Sequence, residues 1–455
     1  DRRFPVCRTC GVTAQEYSKC KSDFRQIFEI GSLSEDVLEM LHKIDSGKGV
    51  CSGSCENCDN QIKSANEFTV RKLALVLTSS CNMRCRYCYA NYGMYDYEKA
   101  ADMNAEKLES VLSYFTKNFK GIGAIQFFGG EPTLKEDLIY QTVDYFERMV
   151  QSGEIKTMPV FGIVTNGVYM PDKLVDYFKK YSFFVTVSLD GPILVNDTLR
   201  IDCSGHGKYK SIWANIAKIQ NAGINGLSFE CTYTAEHIRN SISLVDLIKF
   251  FDKEFNNPVV HIAPVNIDNN HYLSLVPYKD KYNQYMEELV DYTFDMLLEE
   301  KKMCSTNIVL GVITRIISQA SQKAICPAGV NTFSVSHDNK ISPCFMYTSK
   351  DDISYGNIGD DPDEILSRAY TFDEYINNKD KVDECQDCFA RNVCSSCLGS
   401  FEIKSDKVQI SNPIYCESIK VATKRALQRL SDIKKNPKTW EEFNRFLDKG
   451  YEERR

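Results

Sequence analysis

Leu73-Ala74-Leu75-Val76-Leu77-Thr78, an apolar run, passes through Ser79 and Ser80 into Cys81-Asn82-Met83-Arg84-Cys85-Arg86-Tyr87-Cys88. A short apolar run that a turn cuts off reads as a strand buried on both faces. The cysteines that follow have the spacing C-x3-C-x2-C, with an aromatic residue before the last. Three thiolates on one tight loop can hold three irons of a [4Fe–4S] cubane and leave the fourth iron open to another ligand. A structural zinc loop lacking its fourth ligand is the alternative. Cys51-Ser52-Gly53-Ser54-Cys55-Glu56-Asn57-Cys58 repeats the spacing without the aromatic residue and without an apolar strand before it. Context therefore singles out Cys81, Cys85 and Cys88.

Beyond this loop the chain alternates. Strands are expected at 73–78, 122–128, 158–165, 183–189, 226–232 and 259–263, and helices at 105–119, 135–149, 172–180, 209–221 and 243–251. Asn104 suits a helix cap, and Pro258 stands just before the last strand, where a missing donor does little harm. Six strands alternating with helices predict an α/β fold, a parallel sheet curled into a partial (β/α)6 TIM-like barrel. Chemistry in such barrels sits at the carboxyl ends of the strands, where Cys81 follows the first. Longer helical patterns cover 279–302 and 308–322. After Cys326 the sequence is loop-rich with short strands and dense cysteines, and polar helical sequence runs from about residue 417 onward.

The whole chain has 455 residues, 43% of them hydrophobic, and a net charge of −7. That length allows a large core and more than one domain. Interspersed charge of both signs argues against nucleic-acid or membrane partners, and no apolar stretch is long enough for a transmembrane helix. Asp1-Arg2-Arg3-Phe4-Pro5-Val6-Cys7 lacks the apolar core of a signal peptide, so a cytoplasmic protein is expected. Of its 19 cysteines, twelve fall in tight groups: Cys7/Cys10, Cys51/Cys55/Cys58, Cys81/Cys85/Cys88 and Cys385/Cys388/Cys394/Cys397. Such gaps suit metal centres better than disulfide loops, and a reducing compartment keeps the thiols available. His42, His206, His237, His261, His271 and His337 show no ligand spacing, and Cys203 and Cys231 read as lone packing thiols.

With these motifs in view, the chain resembles the radical S-adenosylmethionine (SAM) enzymes, over about residues 71–265. The three-cysteine loop is similar to their signature, and supporting segments occur in family order at successive strand ends. The resemblance implies that Gly129, Gly130, Glu131 and Pro132 meet the methionine ammonium. It places Thr165 and Asn166 at the next strand end, Ser188 and Asp190 near the ribose, Arg200 on the carboxylate and Tyr87 near the adenine. It also implies the reaction: the reduced cluster cleaves SAM to a 5′-deoxyadenosyl radical, which takes a hydrogen from the substrate. No residue stands out as a catalytic base.

The last cysteines resemble the SPASM extension, which carries auxiliary iron–sulfur clusters. By the family's interleaving, Cys385, Cys388, Cys394 and Cys416 would hold one cluster. Cys326, Cys344 and Cys397 would hold the other, with Cys304, an exogenous group or the substrate as its fourth ligand. Three clusters in all are implied, and structural zinc is the alternative. The chain departs from the family pattern in its first gap, in Asn339 where glycine is usual, and in two residues rather than three between Cys394 and Cys397. Asparagine tolerates the left-handed turn that glycine would make. The expected division is a cysteine-rich, peptide-recognition-like region at 1–70, a radical SAM barrel at 71–302, an auxiliary-cluster domain at 303–425 and a helical tail at 426–455. In the first region, 32–44 reads as an amphipathic helix, and Cys7, Cys10, Cys20, Cys51, Cys55 and Cys58 are candidates for zinc or a further cluster. Together these features point to a maturase that crosslinks a ribosomally made peptide through a thioether or C–C bond. Its expected partners are a precursor peptide with a leader and a reductant such as flavodoxin or ferredoxin. A formylglycine-generating sulfatase maturase and a non-enzymatic iron–sulfur or zinc protein are the alternatives.

Overall fold

Val70, Leu73, Leu75 and Leu77 are fully enclosed, and around them the run Thr69–Val76 forms β1. The computed structural model describes residues 64–318, 322–404 and 407–453. The helical pattern at 32–44 and the thiols of Cys7, Cys10, Cys20, Cys51, Cys55 and Cys58 lie outside the described residues. After β1 come α1 (Ala105–Asn118), β2 (Gly121–Phe128), α2 (Glu136–Ser152), β3 (Val160–Thr165), α3 (Asp172–Lys180) and β4 (Phe184–Ser188). The chain continues through α4 (Ile193–Leu199), α5 (Tyr209–Asn221), β5 (Leu227–Tyr233), α6 (Ala235–Arg239), α7 (Leu244–Phe255) and β6 (Val259–Pro264). Then follow α8 (Lys279–Asp295), α9 (Asn307–Ser318), β7 (Thr332–Val335), β8 (Lys340–Ser342), β9 (Gly356–Asn357), α10 (Pro362–Tyr375) and α11 (Asp383–Gln386). A hairpin, β10 (Phe401–Lys404) and β11 (Lys407–Ile410), leads to α12 (Pro413–Lys434) and α13 (Pro437–Glu453).

Local chemistry sets these boundaries. The Asn104 side chain accepts from the Lys107 amide at 2.8 Å and starts α1. Ser243 and Asp246 form a reciprocal capping box at α7, and Gly153 ends α2 in the left-handed conformation. Four differences from the sequence expectation stand out. The pattern at 279–302 is not one helix: it breaks after Asp295 into a π turn that Lys301 closes at φ 53°. Helix α4, hidden behind Gly191-Pro192, was not anticipated, and neither was the single-turn α6. Helix α7 runs on to Phe255, where Asn256 caps it at φ 59°.

The main sheet has nine strands in the order β6-β5-β4-β3-β2-β1-β7-β8-β9. Strands β1 to β6 are parallel neighbours in sequence order, the expected partial barrel. The addition is β7, which pairs parallel to the free side of β1, Leu73 opposite Phe333. A four-residue strand in a loop-rich region carries too little periodicity to reveal such a partner. Helices cover the outer face. Phe127, Phe161 and Phe183 stack there, and Phe229 meets Phe251 of α7 at 5.2 Å between ring centroids. Along β5 the enclosed residues are Phe229, Cys231 and Tyr233, so Ser228, Glu230 and Thr232 turn to the inner face.

Phe333 is enclosed between Phe115, Phe119 and Tyr355, with ring centroids 5.8–6.0 Å away. Phe333→Ala is expected to cost about 3–5 kcal/mol. A urea titration should show a lower midpoint for tryptophan fluorescence and for helical circular dichroism together, because β7 belongs to the barrel sheet.

Candidate functional site

The loop after β1 lies against the loop after β2 through backbone alone. The Gly130 amide donates to the Thr78 carbonyl at 2.8 Å, and the Glu131 amide to the Ser80 carbonyl at 2.9 Å. A Cβ on Gly130 would lie 2.2 Å from the Ser80 oxygen, and one on Gly129, at φ 150°, 2.6 Å from the Thr78 oxygen. Both glycines are therefore needed for the contact itself. A second strap comes from the end of α4 and the segment after it: the Arg84 amide donates to the Ile201 carbonyl and the Arg86 amide to the Leu199 carbonyl, at 2.6 and 2.9 Å. So held, the loop gathers three thiols. Burial pushes the Cys81 thiol up to about 12, and the charges of Glu131, Cys85 and Cys88 add to the rise. Burial also raises Cys85, against the pull of Arg200. Thiols kept neutral by burial and by one another are ionised by binding a metal centre. Backbone amides already face two sulfurs: Met83 donates to Cys81 at 3.4 Å and Tyr92 to Cys88 at 3.1 Å.

Glu131 is enclosed beside this loop, and burial raises its carboxyl. Its Oε1 accepts from the Thr133 amide, the Thr133 hydroxyl and the Thr165 hydroxyl at 2.7–3.1 Å, and its Oε2 from the Asn166 amide at 2.7 Å. The carboxylate thus ties the end of β2 to the end of β3. Asn166 reaches on to Asn82 at 2.7 Å and to the Cys81 sulfur at 3.7 Å. Tyr87, Asp190 and Arg200 form one buried network. The Tyr87 hydroxyl donates to Asp190 at 2.6 Å and accepts from Arg200 Nη1 at 2.6 Å. Arg200 Nη1 stands 3.9 Å from Asp190, while its Nε is buried without a hydrogen-bond partner. The network includes His237, which sequence reasoning passed over. Its Nδ1 accepts from the Thr234 amide at 3.1 Å, which leaves Nε2 to donate to the Asp190 carbonyl at 2.9 Å. Thr234-Ala235-Glu236-His237 at the start of α6 was the available signal, since it has the spacing of a capping box. Ser188 stands at the end of β4, in register with Glu230 of β5.

The C-terminal thiols fall into two groups. Cys385, Cys388, Cys394 and Cys416 line one cavity. Burial lifts Cys416 to about 12, with the charges of Cys394, Cys385 and Cys388 adding to it. Cys344 is raised by burial and then by Cys326 and Cys397, so those three are neighbours as well. The close pair Cys394 and Cys397 is thus divided between the groups, and Asn339 does make the left-handed turn, at φ 64°. Cys304 does not join either group: it is buried near the amino end of β6, where its charge acts on Tyr292. Among the described residues no three His, Cys, Asp or Glu side chains are placed to hold a single metal ion. Lys379, only 3% exposed, lines the four-thiol cavity and donates to the carbonyls of Gln322, Arg391 and Cys394 at 2.6–2.8 Å. Burial pulls its pKa down to about 8, although the thiolate of Cys394 pulls the other way.

The first cysteine loop and the three-thiol group face each other. Tyr95 feels both Cys344 and Cys88, and Phe345 stacks on Phe128 at 3.8 Å between centroids, one residue before Gly129. Lys379→Met is expected to leave three buried carbonyls unpaired, at about 1–3 kcal/mol each. Its iron content after reconstitution should fall while the 81–88 loop keeps its share. Gly130→Ala should abolish SAM binding, measured by equilibrium dialysis, because the added methyl group cannot coexist with the Ser80 carbonyl.

Comparison with known proteins agrees with this geometry. Residues 75–237 match the Radical SAM superfamily. A cysteine-type anaerobic sulfatase-maturating enzyme of Clostridium perfringens is 24% identical over 376 residues, covering 79% of this chain and 97% of that enzyme. The radical SAM cyclopropyl synthase TigE of Paramaledivibacter caminithermalis is 23% identical, over 82% of this chain and 77% of that one. A solved structure of native anSMEcpe with bound AdoMet and Cp18Cys peptide superposes with a TM-score of 0.65 at 20% identity, over 80% of this chain and 99% of that one. Among the described residues no helix is long and apolar enough to cross a membrane. The chain therefore carries a radical SAM superfamily domain at residues 75–237 and is homologous over most of its length to sulfatase-maturating enzymes.

Proposed function

We propose that this enzyme is a peptide maturase that forms a crosslink, a thioether or C–C bond, in a ribosomally made peptide. The observation that supports this reading most is the nearness of Tyr95 to both Cys88 and Cys344, which brings the two cysteine groups close to each other. In this proposal Cys81, Cys85 and Cys88 hold the radical-generating cluster. Cys326, Cys344 and Cys397 hold one auxiliary cluster, and Cys385, Cys388, Cys394 and Cys416 hold another. When bound, the first cluster supplies the electron that opens SAM. The chain's own part is position and charge. The glycine loop brings backbone groups to the cofactor, and the Tyr87–Asp190–Arg200 network holds a guanidinium with one free N–H beside the cluster loop. A peptide substrate suits this reading, as a peptide is bound in the anSMEcpe structure of the same fold.

A second reading, formylglycine formation on a sulfatase, is favoured by the names of the relatives that align over most of the chain. Feeding experiments separate the two. Anaerobically reconstituted enzyme, dithionite and SAM are mixed with the peptide encoded beside the gene or with a sulfatase-type cysteine peptide. The maturase reading expects 5′-deoxyadenosine and loss of hydrogen masses with the first peptide only. Modification of the second peptide alone would replace that reading by sulfatase maturation. Cys81→Ala is expected to lower iron from about twelve to about eight per chain and to abolish deoxyadenosine.

A further inference from the structure

Strand interiors rarely carry carboxylates, because a side chain that must face a core or a chamber is costly to hold there charged. Among the described residues, Glu230 on β5 is the only acidic residue on any strand of the main sheet. Its neighbours in the strand, Phe229 and Cys231, are enclosed against the helices, so its own side chain turns inward. Ser188 of β4 and His261 of β6 flank it in register. From the loops above, its charge acts on both the Tyr89 hydroxyl and the Cys397 thiol. Tyr89 also neighbours Tyr95 and Cys88. Glu230 therefore faces the inside of the partial barrel, near Tyr89 of the first cysteine loop and Cys397 of the three-thiol group.

The other carboxylates at this end of the barrel are committed. Glu131 accepts four hydrogen bonds, and Asp190 is tied to Tyr87, Arg200 and the Thr232 amide. The Glu230 carboxylate makes no hydrogen bond or ion pair with any described residue. An inward, half-buried, uncommitted carboxylate beside the reacting centre is available to a substrate.

We propose that Glu230 is the catalytic base of the peptide-modifying step. This rests on the maturase reading above, in which a peptide C–H hydrogen leaves as an atom to the deoxyadenosyl carbon. The partner group, an S–H or a second C–H, then gives its proton to the Glu230 carboxylate as its sulfur or carbon bonds to the radical carbon. One surplus electron leaves to an iron–sulfur acceptor, the class of centre proposed at Cys326, Cys344 and Cys397. The peptide loses two hydrogens and gains one bond, and Glu230 returns its proton to solvent.

The test compares wild type, Glu230→Gln and Glu230→Asp, each reconstituted with matched iron content, on the peptide encoded beside the gene. The expected result for Glu230→Gln is a fall in crosslinked product of about 100-fold or more, with deoxyadenosine formation kept within about twofold. Glu230→Asp should recover part of the product. A second measurement needs no turnover: carbodiimide and glycinamide label carboxylates on the purified full chain, and peptide mapping reads Glu230. It should be labelled in the free protein and protected by the peptide. Equal product from wild type and Glu230→Gln, or labelling that the peptide leaves unchanged, would overturn the assignment while the maturase reading stands. A wild type that makes no deoxyadenosine with the peptide overturns both. If Glu230→Gln does not fold, the aspartate variant and the labelling decide the question.

Discussion

The close backbone approach of two loops governs this site. Gly129 and Gly130 bring the end of β2 to within hydrogen-bonding distance of Thr78 and Ser80, and no side chain could occupy the gap. The contact positions Glu131 to bind the end of β3, and through Asn166 it reaches back to Asn82 and Cys81. Three successive strand ends are thereby locked into one rigid rim. A constellation of thiols and donors held to a fraction of an ångström needs such support, because side chains on free loops would wander.

Beneath that rim the charged groups are arranged so that burial does not neutralise them. Arg200 is nearly inaccessible, but it lies beside the Asp190 carboxylate and donates to the Tyr87 phenol, whose own proton goes to Asp190. Its guanidinium stays charged and pulls down the Cys85 thiol, against the desolvation that raises it. The C-terminal region has its own version in Lys379, whose ammonium is held by three carbonyls at the wall of the four-thiol cavity. In both places one buried cation stands beside a group of thiols that must carry negative charge when they bind metal.

Much of this was legible from the residues alone, where function is concentrated in short motifs. The alternating pattern predicted six parallel strands and their helices, and the 81–88 loop, the 129–132 segment and Arg200 were each identifiable by type and spacing. What sequence could not show was how these residues engage one another. The hydroxyl of Tyr87 bridges Asp190 and Arg200, a pairing over more than a hundred residues of chain. Lys379 sits in the polar run Asn377-Asn378-Lys379-Asp380, which reads as a surface loop. Its burial arises only because residues 322, 391 and 394 close around it. Glu230 was hidden for the opposite reason: a single acid in an alternating strand looks like an ordinary solvent-facing position.

Strand β7 has a consequence for how the molecule is made. It reaches β1 from more than 250 residues further along the chain, and until it arrives β1 is an open edge at the centre of the final sheet. A ribosome extending the chain at about 5–20 residues per second would leave that edge uncovered for many seconds. The apolar strand that leads into the cysteine loop is thus open to mispairing during synthesis. Such a topology leaves the cysteine loop framed on one side alone until residue 335 has emerged.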